Sequence, residues 1–144
     1  MASARPGLEA LLPHRGAMCL LDAVATHGDD RIVCVATSHR SPDNPLRVGG
    51  RLPALAAIEY AAQAMAAHGS LTGGLHATPG RLVAVRDVRL HATTLDDVTG
   101  DLAVEATRIA ADAGGVVYAF AVSAGSRTLA EGRATVMLRE APRA

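Results

Sequence analysis

The chain has 144 residues, about half of them hydrophobic, enough for one compact domain with a real core and too few for two ordinary ones. Fourteen basic and fourteen acidic residues cancel, which removes the electrostatic footprint expected of a nucleic-acid or anionic-membrane binder and leaves small molecules or proteins as partners. A near-neutral surface also does little to oppose self-association.

Every basic residue is Arg, Ala is abundant and aromatic content is only 2%, a pattern of coding bias and of a core filled by Ala, Val and Leu. The start, MASARPGLEALLPHRG, lacks a charged region followed by a long apolar segment, and no apolar run approaches the ~20 residues of a bilayer span, so a soluble, cytosolic chain is expected. Cys19 and Cys34 stand alone, outside any CxxC or His/Cys cluster, which reads as two reduced, buried thiols with neither a disulfide framework nor a zinc site.

In chain order, LEALL (8–12), closed by Pro13, predicts a short opening helix. AMCLLDAVATH (17–27) and RIVCVATSH (31–39) are rich in apolar and β-branched residues, and Gly28-Asp29-Asp30 between them predicts an antiparallel hairpin. RSPDNPLRVGG (40–50) has two prolines, two glycines and no periodicity, and reads as a loop long enough to be functional.

From Pro53, which suits a first-turn position, to His68 the residues are strong helix formers, and Gly69 reads as the stop. This central helix, about 53–68, is apolar nearly all round and must be surrounded by protein. Within it stand one carboxylate, Glu59, and one amide, Gln63, a turn later.

After a Gly-rich connection (69–80), four strand-like runs follow, 81–92, 100–111, 115–124 and 127–138, separated by Thr99-Gly100, Gly114-Gly115 and Gly125-Ser126. In the third, Tyr118, Phe120 and Val122 alternate with Ala119, Ala121 and Ser123. The order predicts an α+β domain spanning 1–144, a curved antiparallel sheet of about six strands wrapped around one long central helix.

LLPHRGAMCLLDAV (11–24) and IEYAAQAMA (58–66) resemble two segments of the hot-dog-fold 3-hydroxyacyl-acyl-carrier-protein dehydratases: a Pro-His-Arg turn before a strand with Leu-Leu-Asp, and a central helix with Glu followed four residues later by Gln. ATSHRSPDNPL (36–46) with GRLPALAAIEYAAQ (50–63) is most similar to the divergent dehydratase-like branch of aryl polyene gene clusters. The resemblance implies a hot-dog fold and removal of water from carrier-protein-bound 3-hydroxyacyl thioesters, with no cofactor beyond the phosphopantetheine that carries the substrate. It also implies a homo-dimer or a hetero-dimer with another hot-dog subunit, with the strand that follows the helix at the seam.

Such a reaction needs a base for the α-proton and an acid for the departing hydroxyl. By resemblance Glu59 is the acid, with burial expected to raise its pKa. The family's His-bearing segment before the helix has no counterpart, since 43–54 reads DNPLRVGGRLPA, without histidine. His39 is then the closest candidate base, with His14 of the Pro-His-Arg turn as a second, mainly structural candidate; Gln63 is expected to orient Glu59 or cap backbone. Arg51, with Arg47, flanks the helix start, where it can meet phosphopantetheine or an acidic carrier-protein surface. His27, His68, His76 and His91 lie at turns or element ends and are expected to be solvated. Two alternatives to an active dehydratase remain open: a non-catalytic or half-catalytic partner subunit, and a hot-dog thioesterase in which the carboxylate activates water.

Overall fold

The computed structural model describes residues 16–73, 80–111 and 114–138. The expected opening helix (8–12) and His14 lie outside these residues.

Six antiparallel strands form one sheet: β1 (Ala23–His27), β2 (Arg31–Ala36), β3 (Gly80–Leu90), β4 (Leu102–Ala111), β5 (Gly115–Ala124) and β6 (Arg127–Leu138). Their order is β1-β2-β4-β5-β6-β3, so β1 and β3 are the two edges. The helix α1 (Ala57–Gly73) lies between β2 and β3 in sequence and packs across β2, β4 and β5. The α+β sheet around a long helix is therefore present as expected.

Alternation along the strands builds the core. Ile32, Cys34 and Ala36 of β2, Leu102, Val104 and Ala106 of β4, and Tyr118, Phe120 and Val122 of β5 are buried against the helix. The helix contributes Ala57, Tyr60, Ala61, Ala64, Met65 and Ala67. Its alanines let the sheet approach closely on several sides, which is why no residue from Ala56 to Leu71 is classed as exposed.

Four local expectations are corrected. The first strand begins at Ala23, because a short 3-10 turn (Gly16–Met18) and an extended segment precede it. The second ends at Ala36, since Ser38–Arg40 forms a further 3-10 turn. At the helix start, Pro53 occupies the N-cap of a 3-10 turn (Ala54–Ala56) that leads into α1. At its end, Gly69 does not stop the helix: Leu71 packs on the core and Thr72 Oγ1 donates to His68 O at 2.8 Å, so packing carries the helix to Gly73.

The 40–50 loop is ordered by its own hydrogen bonds. Val48 and Arg51 exchange both backbone hydrogen bonds (2.7 and 3.1 Å) around Gly49 and Gly50, whose φ values of 59° and 79° are the left-handed pair a type I′ turn requires. Residues 51–54 then run beside 93–96: Ala54 N donates to Thr93 O and Leu95 N to Leu52 O. The helix start is thereby tied to the β3–β4 connection.

Candidate active site

Glu59 sits in the first turn of α1. It is half-buried, not enclosed as the sequence suggested, because it lies on the one stripe of the helix that the sheet leaves partly open, with Leu55, Ile58, Ala62 and Ala66. Leu55, at the head of this stripe, is 58% exposed.

Gln63, one turn on, is completely buried, and each half of its amide has a fixed partner. Its Oε1 accepts from Leu20 N at 2.9 Å, while Nε2 donates to Met18 O at 2.7 Å and to Glu59 Oε1 at 3.4 Å. Because Leu20 offers a donor and Met18 an acceptor, the amide can point only one way, with N–H toward Glu59. The Gln63 side chain therefore both caps backbone and contacts the carboxylate.

On the other side of Leu20, Ser38 Oγ donates to Leu20 O at 2.7 Å and pairs with Tyr60 Oη at 2.7 Å. Asn44 Nδ2 donates to Tyr60 Oη and to Ser38 O, both at 3.0 Å. With the Ser38 proton committed to Leu20 O, the Tyr60 hydroxyl donates to Ser38 and accepts from Asn44. Both polar groups of Leu20 are thus held by side chains from, or bonded to, residues adjoining Glu59 on the helix. Sequence reading missed Tyr60 and Asn44; their signal was a tyrosine inside an all-apolar helix, which needs a partner when buried.

His39 is placed away from the carboxylate. Its ring is fully buried, Nε2 lies 3.0 Å from Val98 O, and Nδ1 has no hydrogen-bond partner, so neither nitrogen is bonded to Glu59. Burial pushes its pKa below the ordinary histidine value and outweighs the Val98 hydrogen bond, which acts the other way. The ring is a neutral group docked under the β3–β4 connection.

Arg51 is not a free cation. Its Nε pairs with Asp96 Oδ2 at 2.8 Å and Nη2 donates to Thr94 Oγ1 at 3.1 Å, while Asp96 Oδ1 accepts from Leu52 N at 2.7 Å. The Leu52 N–H, aided by Arg51, holds the Asp96 carboxyl below its usual pKa. Arg47 likewise folds back on its own loop, donating to Ser41 O, Gly50 O and His39 O. These arginines fasten the loop before the helix.

His68 also departs from expectation. It is fully buried, with Nδ1 2.8 Å from Tyr118 Oη and Nε2 3.0 Å from Gly28 O, and its ring meets Tyr118 edge-on. A helix-end histidine is solvated only when the helix ends there, and this helix does not.

The described site is one carboxylate, oriented by a buried amide on a partly open helix stripe, without a hydrogen-bonded histidine among the described residues. Residues 6–143 match the sequence pattern of the family described as ApeP dehydratase. The chain belongs to the ApeP-like dehydratase family. This bears out the resemblance carried by the Pro-His-Arg turn and the Glu59-Gln63 spacing, and the fold is the hot dog. No protein of curated function matches the sequence.

Among solved structures, the dehydratase heterocomplex ApeI:P from Xenorhabdus doucetiae matches with a TM-score of 0.80 at 24% identity, over 94% of this chain and 93% of that one. AziG from S. sahachiroi matches at 0.62 and 17% identity, over 84% and 91% of the two chains. A hypothetical thioesterase from Streptococcus pneumoniae TIGR4, solved with coenzyme A, matches at 0.60 and 11% identity, over 81% and 84%. At these identities the likenesses establish the architecture. The helices of the described residues are too short or too polar to cross a membrane.

Proposed function

We propose that this ApeP-like chain is the carboxylate-bearing subunit of a hetero-oligomeric dehydratase that converts 3-hydroxyacyl thioesters on an acyl carrier protein to trans-2-enoyl thioesters. Aryl polyene biosynthesis is the setting that the resemblance and the family point to, and the cytoplasm is the compartment this reading assigns. The observation that carries the reading is Glu59, held by Gln63 on the helix stripe that this chain alone leaves partly open.

In this reading the base takes the C2 proton of the substrate while Glu59 delivers a proton to the departing C3 hydroxyl, leaving the C2–C3 double bond and water. A second subunit covers the stripe 55, 58, 59, 62 and 66, which excludes water from the site. The base comes from that second subunit. His39 is a poor base here: its one free nitrogen is buried and its other is engaged with Val98. The heterocomplex whose architecture this chain shares supports a partner of the ApeI kind.

The test is to incubate the chain, alone and with an ApeI-type subunit, with a 3-hydroxyacyl carrier protein and to follow the acyl group by mass. Enoyl product from the mixture and none from either chain alone supports the proposal. Enoyl product from this chain alone shows that it carries its own base, and free acid shows a thioesterase, the activity named for one structural neighbour.

A further inference from the structure

The formal charge of the chain is zero, yet its arginines are unevenly used. Arg31, Arg40, Arg51 and Arg108 each pair with an acid, Glu105, Asp101, Asp96 and Asp30 respectively. Apart from Arg127 at the start of β6, the exposed arginines that lack an ion pair among the described residues gather along β3 and the part of β6 beside it: Arg81, Arg86, Arg89 and Arg133.

Strand register shows how closely they sit. Ala134 is buried, so its neighbours on β6 point to the outer face, and Arg133 there is directly opposite Arg86. Like charges opposite one another on a sheet are destabilising, and neither arginine of this pair forms an ion pair among the described residues. The acids nearby are Glu131, opposite Arg89 but hydrogen-bonded to His91 at 2.7 Å, and Asp87, which sits at a bulge with φ 55°.

β3 is also an unpaired edge of 11 residues with Leu82, Val83, Val85 and Leu90 exposed, the profile of a strand that another strand covers. A second copy is a poor occupant in the registers centred on the middle of the strand. Antiparallel pairing of β3 with itself about Val85 sets Arg81 against Arg89, and pairing about Arg86 sets Arg86 against Arg86. Building on the hetero-oligomer reading above, we propose that β3 is a charge-coded edge: its arginines, with Arg133 beside them, oppose pairing with a second copy and select a partner strand that carries aspartate or glutamate.

The experiment compares the full wild-type chain with the Arg81→Glu/Arg86→Glu/Arg89→Glu variant by sedimentation and native mass spectrometry, each alone and mixed. The mixture is expected to form a 1:1 complex at concentrations where neither chain dimerises alone, and to loosen about tenfold from 50 to 500 mM salt. A wild-type homodimer as tight as the mixed complex, or no mixed complex, overturns the proposal. Should the variant not fold by circular dichroism, the wild-type chain alone decides: its self-association must strengthen as salt rises, and weakening or indifference to salt overturns the idea. Neither readout involves substrate, so failure here leaves the dehydratase reading standing, and failure of the enoyl assay leaves this one.

Discussion

Gln63 holds Glu59 to the backbone that precedes the first strand: Nε2 donates to Glu59 Oε1 at 3.4 Å and to Met18 O at 2.7 Å, and Oε1 accepts from Leu20 N at 2.9 Å. Replacing Gln63 by Leu leaves Leu20 N–H and Met18 O without their side-chain partner and removes the amide's hydrogen bond to Glu59. The expected cost is about 2–4 kcal/mol in urea unfolding. The destabilisation of Gln63→Glu should shrink as pH falls, because a protonated carboxyl regains one donor.

Tyr60→Phe tests the neighbouring network. The ring remains in the core, but Ser38 loses a donor and Asn44 Nδ2 loses one of its two acceptors, Ser38 O remaining. A loss of about 1–2 kcal/mol is expected, with faster amide exchange at Leu46, whose N–H bonds Asn44 Oδ1 at 2.9 Å. Unchanged stability and exchange would show that the network does not fasten the loop.

His39 predicts a pH effect on stability. Its folded-state pKa is depressed, first by burial, against the Val98 hydrogen bond, with Arg40 acting downward and the Gly100 backbone and Asp101 upward. The unfolded chain takes up the proton near pH 6.5 and the folded one only at lower pH, so stability is full above about 6.5 and falls as pH drops below it. The slope from this group is at most about 1.4 kcal/mol per pH unit, and His39→Gln should remove it from thermal unfolding curves between pH 7 and 5.5.

Much of this architecture is legible in the sequence because it rests on periodicity. The alternation of Tyr118, Phe120 and Val122 with Ala119, Ala121 and Ser123 gives β5 its buried face, and the four strands after the helix appear within a residue or two of their expected limits. The edge position of β3 was also legible, from its place directly after the helix. What was not legible depends on partners distant in sequence. Gly69 reads as a helix stop only if Leu71 has nothing to pack on, and His68 reads as solvated only if Gly28 and Tyr118 are elsewhere. Arg51 reads as a free cation until Asp96, 45 residues away, is seen to bind it. His39 has the reach to approach Glu59, but the 3-10 turn at Ser38–Arg40 commits its ring to Val98.

Gly132 is a packing requirement that periodicity does not reveal. A Cβ there would lie 3.0 Å from Phe120 Cζ and 3.2 Å from Val88 Cα. Phe120 is buried, and the Val88 contact is backbone, so neither yields easily. Gly132→Ala is expected to cost about 1–3 kcal/mol, measured by chemical denaturation.

Cys34 is buried in β2, and burial pushes its thiol up to about 12. Almost no thiolate exists at pH 8, so native Cys34 should resist iodoacetamide and react only on unfolding. Peptide mapping of the alkylated protein checks this, and labelling of Cys34 in the native state would contradict it.

The central claim is that Glu59 gives the proton to the departing hydroxyl while a second subunit supplies the base. The most direct measurement is the rate of enoyl formation from a 3-hydroxyacyl carrier protein by the ApeI-type subunit mixed with either the wild-type chain or Glu59→Gln. The account predicts a fall in kcat of about 10²–10⁴-fold with the complex still assembled, as befits the loss of a general acid. Undiminished dehydration by the mixture containing Glu59→Gln would contradict it.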